Sequence, residues 1–159
     1  MAVNPSDLKI IIRETITLNN NKYDSRVSQT ISNIKEVTKK IITIPTSSQE
    51  IISVSGSIGS AFSNLKTEDV KYMRLSNLNT ANNPNHVDLT FRNFDNDEFK
   101  IKLDYNKSFL YPGDTLSGVS GSMDASQTEI TDNDLASLTK VIAQASGSEV
   151  DMEIFIAST

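Results

Sequence analysis

The most regular alternation of hydrophobic and polar residues in the chain lies between residues 87 and 112. In VDLTFRN and in EFKIKLD every second residue is apolar, and this period predicts two half-buried strands. A short polar segment separates them, so we expect them to form an antiparallel hairpin. The apolar residues share one face, which we predict to be buried: Val87, Leu89, Phe91, Phe99, Ile101 and Leu103. A charge at Phe99 or Ile101 should therefore unfold the domain.

Other segments show the same alternation or are rich in β-branched residues, which favour strands. They predict strands at 7–18, 36–44, 50–55, 70–78, 108–111 and 149–157. A helix is an alternative for 36–44, because Ile34, Val37 and Ile41 are three and four residues apart, and 135–145 fits either a helix or a strand. About eight or nine short strands with turns between them indicate an all-β fold, either an antiparallel two-sheet sandwich resembling a jelly roll or a barrel.

The length of 159 residues suits one domain with a substantial core. We expect a polar N-terminal arm at 1–7 and a single β-sandwich domain at 8–159, which includes a long loop at 114–134. That loop lacks apolar periodicity, and such long loops in compact domains are often functional. The arm and the loop are therefore the candidate partner-binding segments, with Val3, Asn4, Pro5, Ser117, Gly118, Ser120 and Met123 as the candidate residues.

Composition excludes several function classes. The net charge of -5 and the pI near 4.8 argue against direct binding to nucleic acid, because an acidic surface repels phosphates. The chain has no Cys, so disulfides and thiolate chemistry are excluded. We find neither a signal peptide nor an apolar run long enough to cross a membrane, which predicts a protein made in the cytoplasm with no membrane partner.

The candidate chemical groups are all better explained as parts of turns and loops. His86 is the only histidine, so a zinc site is excluded, and no nucleophile motif accompanies it. The acidic clusters at 95–98 and 132–134 could bind calcium, but neither matches the EF-hand pattern, and turns favour the same residues. The Ser/Gly segment 55–60 lacks the lysine of a phosphate-binding loop. We expect no catalytic residue, no cofactor and no metal.

The second half of the chain resembles small β-structured virion proteins of tailed bacteriophages, particularly marine and cyanobacterial ones. The similarity lies in the strand patterns at 72–78, 87–93, 97–104, 108–111 and 150–157. It implies a jelly-roll-like structural module of the virion, assembled in the host cytoplasm, that decorates or cements the capsid shell. The implied partners are the major capsid protein or neighbouring virion subunits.

Two alternatives accompany this hypothesis. One is a tail, baseplate or fibre component whose loops 80–86 and 114–134 bind a neighbouring protein or a ligand on the host surface. The other is a β-sandwich enzyme that uses Asp and Tyr residues, although no acid, base and nucleophile converge in the sequence. Shell proteins are commonly arranged by symmetry, so a homo-oligomer, either a trimer or a dimer, is expected for the class.

Overall fold

The computed structural model describes residues 4–53, 70–93, 98–112 and 138–159. All regular secondary structure in these residues is β-strand. The ten strands are β1 (Ser6–Leu18), β2 (Asn21–Ile34), β3 (Glu36–Ile44), β4 (Gln49–Ser53), β5 (Val70–Asn77), β6 (Val87–Asn93), β7 (Glu98–Leu103), β8 (Ser108–Pro112), β9 (Leu138–Ala145) and β10 (Val150–Ser158). No helix in this part of the chain is long and apolar enough to span a membrane.

The strands form two four-stranded antiparallel sheets and a separate two-stranded hairpin. The first sheet has the order β3-β10-β5-β8, the second has the order β4-β9-β6-β7, and β1 pairs only with β2 among the described strands. The pairings in the two larger sheets are nested around one hairpin. β6 pairs with β7, β5 with β8, β4 with β9 and β3 with β10, so each pair encloses the one before it.

The innermost hairpin, β6–β7, is the one that the hydrophobic pattern predicts. Its register places three apolar pairs directly opposite each other: Val87 with Leu103, Leu89 with Ile101 and Phe91 with Phe99. The rings of Phe91 and Phe99 stack with centroids 4.6 Å apart. Four of the six residues are buried, whereas Phe99 and Ile101 are only partly buried against the core. The predicted face is confirmed, with two of its three β7 residues less deeply buried than the rest.

One apolar cluster lies between the two larger sheets and contains residues from both. Alternate residues of β10 enter it from the first sheet, and alternate residues of β6 enter it from the second. Its completely buried members include Leu75, Val87, Leu89, Val141, Met152 and Ile154. The other residues of the first sheet form its outer face, where Phe155 lies opposite Arg74 and Lys39.

A buried asparagine connects three segments at one end of this core. Asn77 is 2% exposed, and its Nδ2 donates hydrogen bonds to the carbonyl oxygens of Asn85, at 3.0 Å, and Leu103, at 3.1 Å. Its Oδ1 accepts a hydrogen bond from the backbone N–H of Asn79 at 3.0 Å. One side chain thus joins the end of β5 to the connection before β6 and to the end of β7.

Several sequence predictions need correction in detail. Residues 36–44 form a strand, so the helical alternative is wrong, and the ambiguous segment 135–145 contains strand β9. β1 begins at Ser6, which places the last two residues of the predicted arm 1–7 in a strand. The polar residues 19–24 interrupt the strand pattern of the sequence, but the turn consists only of Asn19 and Asn20, because Asn21 already pairs with Leu18.

Candidate interaction surface

The β1–β2 hairpin is the most unusual feature of the described structure. Its strands are joined by Asn19 and Asn20, whose φ angles are 51° and 63°. Two consecutive residues with positive φ match the right-handed twist of the flanking strands, and asparagine tolerates this conformation better than most residues. The β-branched residues of β1 favour extended backbone, so the local sequence alone explains a long hairpin.

The base of the hairpin packs on the outer face of the first sheet. Leu8, Ile10, Ile31 and Ile34 contribute to a small apolar cluster with three residues of that face: Tyr72, Phe155 and Ala157. Ile31 is 1% exposed, so this contact is tight at its centre. Farther along, a cavity of about 30 Å³ is lined by hairpin residues and by Leu110 of β8. The hairpin therefore crosses the sheet from β10 towards the β8 edge.

Beyond this contact the apolar face of the hairpin continues without cover. The register places even-numbered residues of β1 on the same face as odd-numbered residues of β2. Five large apolar side chains on this face are between 43% and 60% exposed, and we call them the hairpin stripe: Ile12, Ile16, Leu18, Tyr23 and Val27. Between Ile12 and Leu18 the strand extends by about 20 Å.

The opposite face of the hairpin is mainly polar. Asp24 accepts hydrogen bonds from Arg13 Nη2 and Thr15 Oγ1, both at 2.9 Å. The Arg13 guanidinium, and to a lesser extent the Thr15 hydroxyl, lower the pKa of Asp24. The ion pair is exposed, so it adds little to stability, but it fixes the diagonal contact between the strands. Ile11 is the exposed apolar exception on this face, at 48%.

An isolated two-stranded hairpin is marginally stable in water. This one leaves five half-exposed apolar residues, and covering each would contribute roughly 1 kcal/mol. A contiguous apolar surface of this kind usually marks a contact with another molecule. Both strands also leave one edge unpaired in the described structure, which adds backbone donors and acceptors. The hairpin stripe is therefore the candidate interaction surface.

We expect Asn20→Gly to stabilise the hairpin, because Asn-Gly is the favoured sequence of a two-residue turn with positive φ at both positions, and glycine adopts the φ of 63° without strain. Amide hydrogen exchange in β1 and β2 should slow, while exchange in β6 and β7 stays unchanged. Asn20→Val should have the opposite effect, since a β-branched residue is strained at this φ. Faster exchange in the glycine variant would contradict the proposed turn geometry.

A second exposed apolar area lies on the outer face of β3, at the opposite edge of the first sheet. Val37 and Ile41 are 52% and 61% exposed, and Lys39 lies between them on the same face. We call these three residues the β3 patch. Lys39 Nζ is 2.9 Å from Glu153, which also pairs with Arg74. One carboxylate thus lies between two cations, and the Lys39 side chain remains 59% exposed.

The loops at one end of the sheets bring together His86 and several asparagines and serines. His86 Nε2 is 3.5 Å from Asp88 Oδ1, and the His86 backbone exchanges hydrogen bonds with Ser146. Asn85 bonds to Ser148 at 2.6 Å. These contacts hold the β5–β6 connection against the β9–β10 turn, and His86 takes part in them through its backbone.

The structure places the candidate partner-binding residues in two groups. Asn4 and Pro5 are exposed and lie just before β1. Val3, Ser117, Gly118, Ser120 and Met123 lie outside the described residues, as do the whole of loop 114–134, the Ser/Gly segment 55–60 and the acidic cluster 132–134. Glu98, from the other acidic cluster, pairs with Arg92.

Sequence reasoning missed the hairpin stripe, although its signal was present. The alternation of Ile12, Ile16 and Leu18 predicts a strand, but nothing in it shows that the strand leaves the sandwich. The useful signal was the Asn19-Asn20 turn, because it makes β2 the direct partner of β1.

Within the described residues, no group of three or more His, Asp or Glu side chains is arranged to hold a metal ion. Comparison of the chain with protein-family models, with curated proteins and with solved structures finds no match.

Proposed function

We propose that the chain is a structural protein of a tailed-bacteriophage virion, a decoration or cement protein that binds the capsid shell without covalent bonds. The observation that carries the proposal is the hairpin stripe, because an exposed apolar surface of this kind indicates a protein that assembles with other protein chains. The proposal that this assembly is a phage virion rests on the resemblance of the second half of the chain to phage virion proteins.

The order of the strands supports a jelly roll as the finer description of the fold. A jelly roll has eight strands in two four-stranded sheets, connected as two Greek keys. The nested pairs from β6–β7 outwards to β3–β10 match this description, because they correspond to one long antiparallel ladder rolled into two sheets. Viral capsid proteins are among the proteins that use this fold, together with lectins and cupins.

The partners of the proposed protein are the major capsid protein or neighbouring virion subunits. The N-terminal residues Val3, Asn4 and Pro5 and the loop residues Ser117, Gly118, Ser120 and Met123 remain the proposed contacts with the shell. The acidic charge suits the outside of a particle, since it disfavours direct contact with packaged DNA. The alternative is a tail, baseplate or fibre component, which would use the same surfaces on fewer neighbours.

Quantitative mass spectrometry of purified virions tests this proposal. A decoration protein should be present in numbers comparable to those of the major capsid protein, and a tail component in far fewer copies. Absence from the virion would overturn both assignments.

Binding of the purified chain to empty shells gives an independent check. The chain should sediment with shells, and a variant lacking residues 116–130 should not, although its thermal unfolding remains cooperative. The matched control is Leu78→Ala, whose side chain is 42% exposed and lies outside the proposed contacts. Equal sedimentation of the loop-deleted variant would show that the loop is not the shell contact.

A further inference from the structure

We propose that the hairpin stripe of one copy binds the β3 patch of a second copy of this chain, so that copies associate head to tail. The inference rests on the described surfaces alone and holds whether or not the protein belongs to a virion. It identifies a second copy of the chain as the molecule that covers the exposed apolar face of the hairpin. It also assigns a role to Val37 and Ile41, which are exposed on the first sheet although they are large and apolar.

The first argument is the match between the two surfaces. Along β1, alternate residues on the stripe face are Ile12, Glu14 and Ile16, and along the β3 patch they are Val37, Lys39 and Ile41. On both surfaces, two apolar residues flank one charged residue at alternate positions of a strand. The central charges, Glu14 and Lys39, are opposite. Because each pattern is symmetric about its charge, it matches whether the two strands run parallel or antiparallel.

The second argument is charge. Lys39 pairs with Glu153, which it shares with Arg74, and the Lys39 side chain is still 59% exposed in the centre of the β3 patch. Glu14 is exposed, and its neighbours on the stripe face, Ile12 and Ile16, are apolar. Placing Glu14 over Lys39 would bring opposite charges together while the flanking apolar residues cover each other. Opposite charges at such a contact favour the correct register and disfavour others.

The third argument is the placement of the two surfaces on one molecule. The hairpin base lies over β10 and β5, and the residues around Ile12 lie beside Leu110 of β8. The hairpin stripe is thus directed towards the β8 edge, whereas the β3 patch is at the opposite edge. A hairpin cannot reach the β3 patch of its own chain in this arrangement, so a second copy must supply it. Such head-to-tail contacts form rings when the rotation between copies closes.

The hairpin base already shows the type of contact that we propose. In each chain, Leu8, Ile10 and Ile31 pack on the outer face of the first sheet against aromatic and small residues. The neighbouring hairpin would extend this cover across β3 on the same face. The outer face of the first sheet would then be covered by two hairpins, one from each copy.

The mass of the full chain in solution tests the proposal, measured by light scattering during size-exclusion chromatography. The unmodified chain should have the mass of at least two chains, in a whole multiple of 17.5 kDa. Ile16→Lys, on the stripe, and Ile41→Lys, on the patch, should each reduce the mass to that of one chain. Ile11→Lys is the matched control, because Ile11 has similar exposure on the opposite face of the same strand, and it should leave the mass unchanged.

Mixing the two defective variants distinguishes this arrangement from other assemblies. Ile16→Lys retains an intact β3 patch and Ile41→Lys retains an intact stripe, so the mixture should form a complex of one copy of each. A monomeric unmodified chain would overturn the proposal. It would also be overturned if either variant kept the oligomeric mass, or if the mixture stayed monomeric. Circular dichroism of each variant should show the strand content of the unmodified chain, because all the substituted residues are exposed.

Discussion

Leu89→Ala should lower the free energy of unfolding by about 2–5 kcal/mol, among the largest losses available in this core. Leu89 is completely buried between the two larger sheets, and it lies opposite Ile101 on β7 and Ala143 on β9. Truncation removes apolar contacts and leaves a cavity, because neighbours on paired strands cannot move inwards independently. Urea unfolding followed by circular dichroism measures this loss.

Leu78→Ala is the matched control for this prediction. The same atoms are removed, but Leu78 is 42% exposed and lies beyond the end of β5. Its cost should stay below about 1 kcal/mol, since little buried area is lost. Equal losses at the two positions would mean that Leu89 is not at the centre of the core.

Asn77→Asp should cost on the order of 3 kcal/mol or more at neutral pH. The substitution replaces the Nδ2 donor with an oxygen, so a buried carboxylate faces the carbonyl oxygens of Asn85 and Leu103. Burial and these two acceptors should raise the pKa of the new carboxyl group, because both disfavour its charged form. The protonated acid can still donate a hydrogen bond to one of the carbonyls.

The sign of the pH dependence follows from this raised pKa. A group that holds its proton more tightly in the folded state stabilises the fold at low pH and loses that effect as the pH rises. The Asn77→Asp variant should therefore be closest to the unmodified chain below the ordinary Asp pKa of about 3.9 and weakest at neutral pH. Asn106→Asp is the control, because Asn106 is an exposed turn residue with a φ of 54° that Asp tolerates. The buried-carboxylate explanation would be contradicted if Asn77→Asp lost the same stability, relative to the unmodified chain, at low pH and at neutral pH.

The sequence predicts the strands better than it predicts their arrangement. The alternation at Val150, Met152, Ile154 and Ile156 gives both the strand and the buried face of β10, because side-chain period is a local property. Nothing local shows that β10 lies between β3 and β5, since that position depends on pairs more than 70 residues apart. The helical alternative for 36–44 failed for the same reason: pairing with β10 favours the extended form.

The hairpin stripe shows a second limit of prediction from the sequence. Apolar residues alternate in the same way in a strand of the core and in a strand that projects from it. The alternation in β1 therefore could not show that Ile16 and Leu18 are exposed. The predicted contacts were instead placed in polar segments, where sequence patterns are weak. A search for long alternating strands joined by a two-residue Asn turn would have pointed to the hairpin.

The position of β10 has a consequence for synthesis of the protein. Because β10 is an interior strand of the first sheet, β3 and β5 have no direct link until residues 150–158 have left the ribosome. The facing edges of β3 and β5 therefore stay unpaired until β10 has been made, and shorter nascent chains expose these edges to chaperones or to other nascent chains. β10 therefore links the strand that carries the β3 patch to the rest of the sheet, and it also contacts the base of the hairpin.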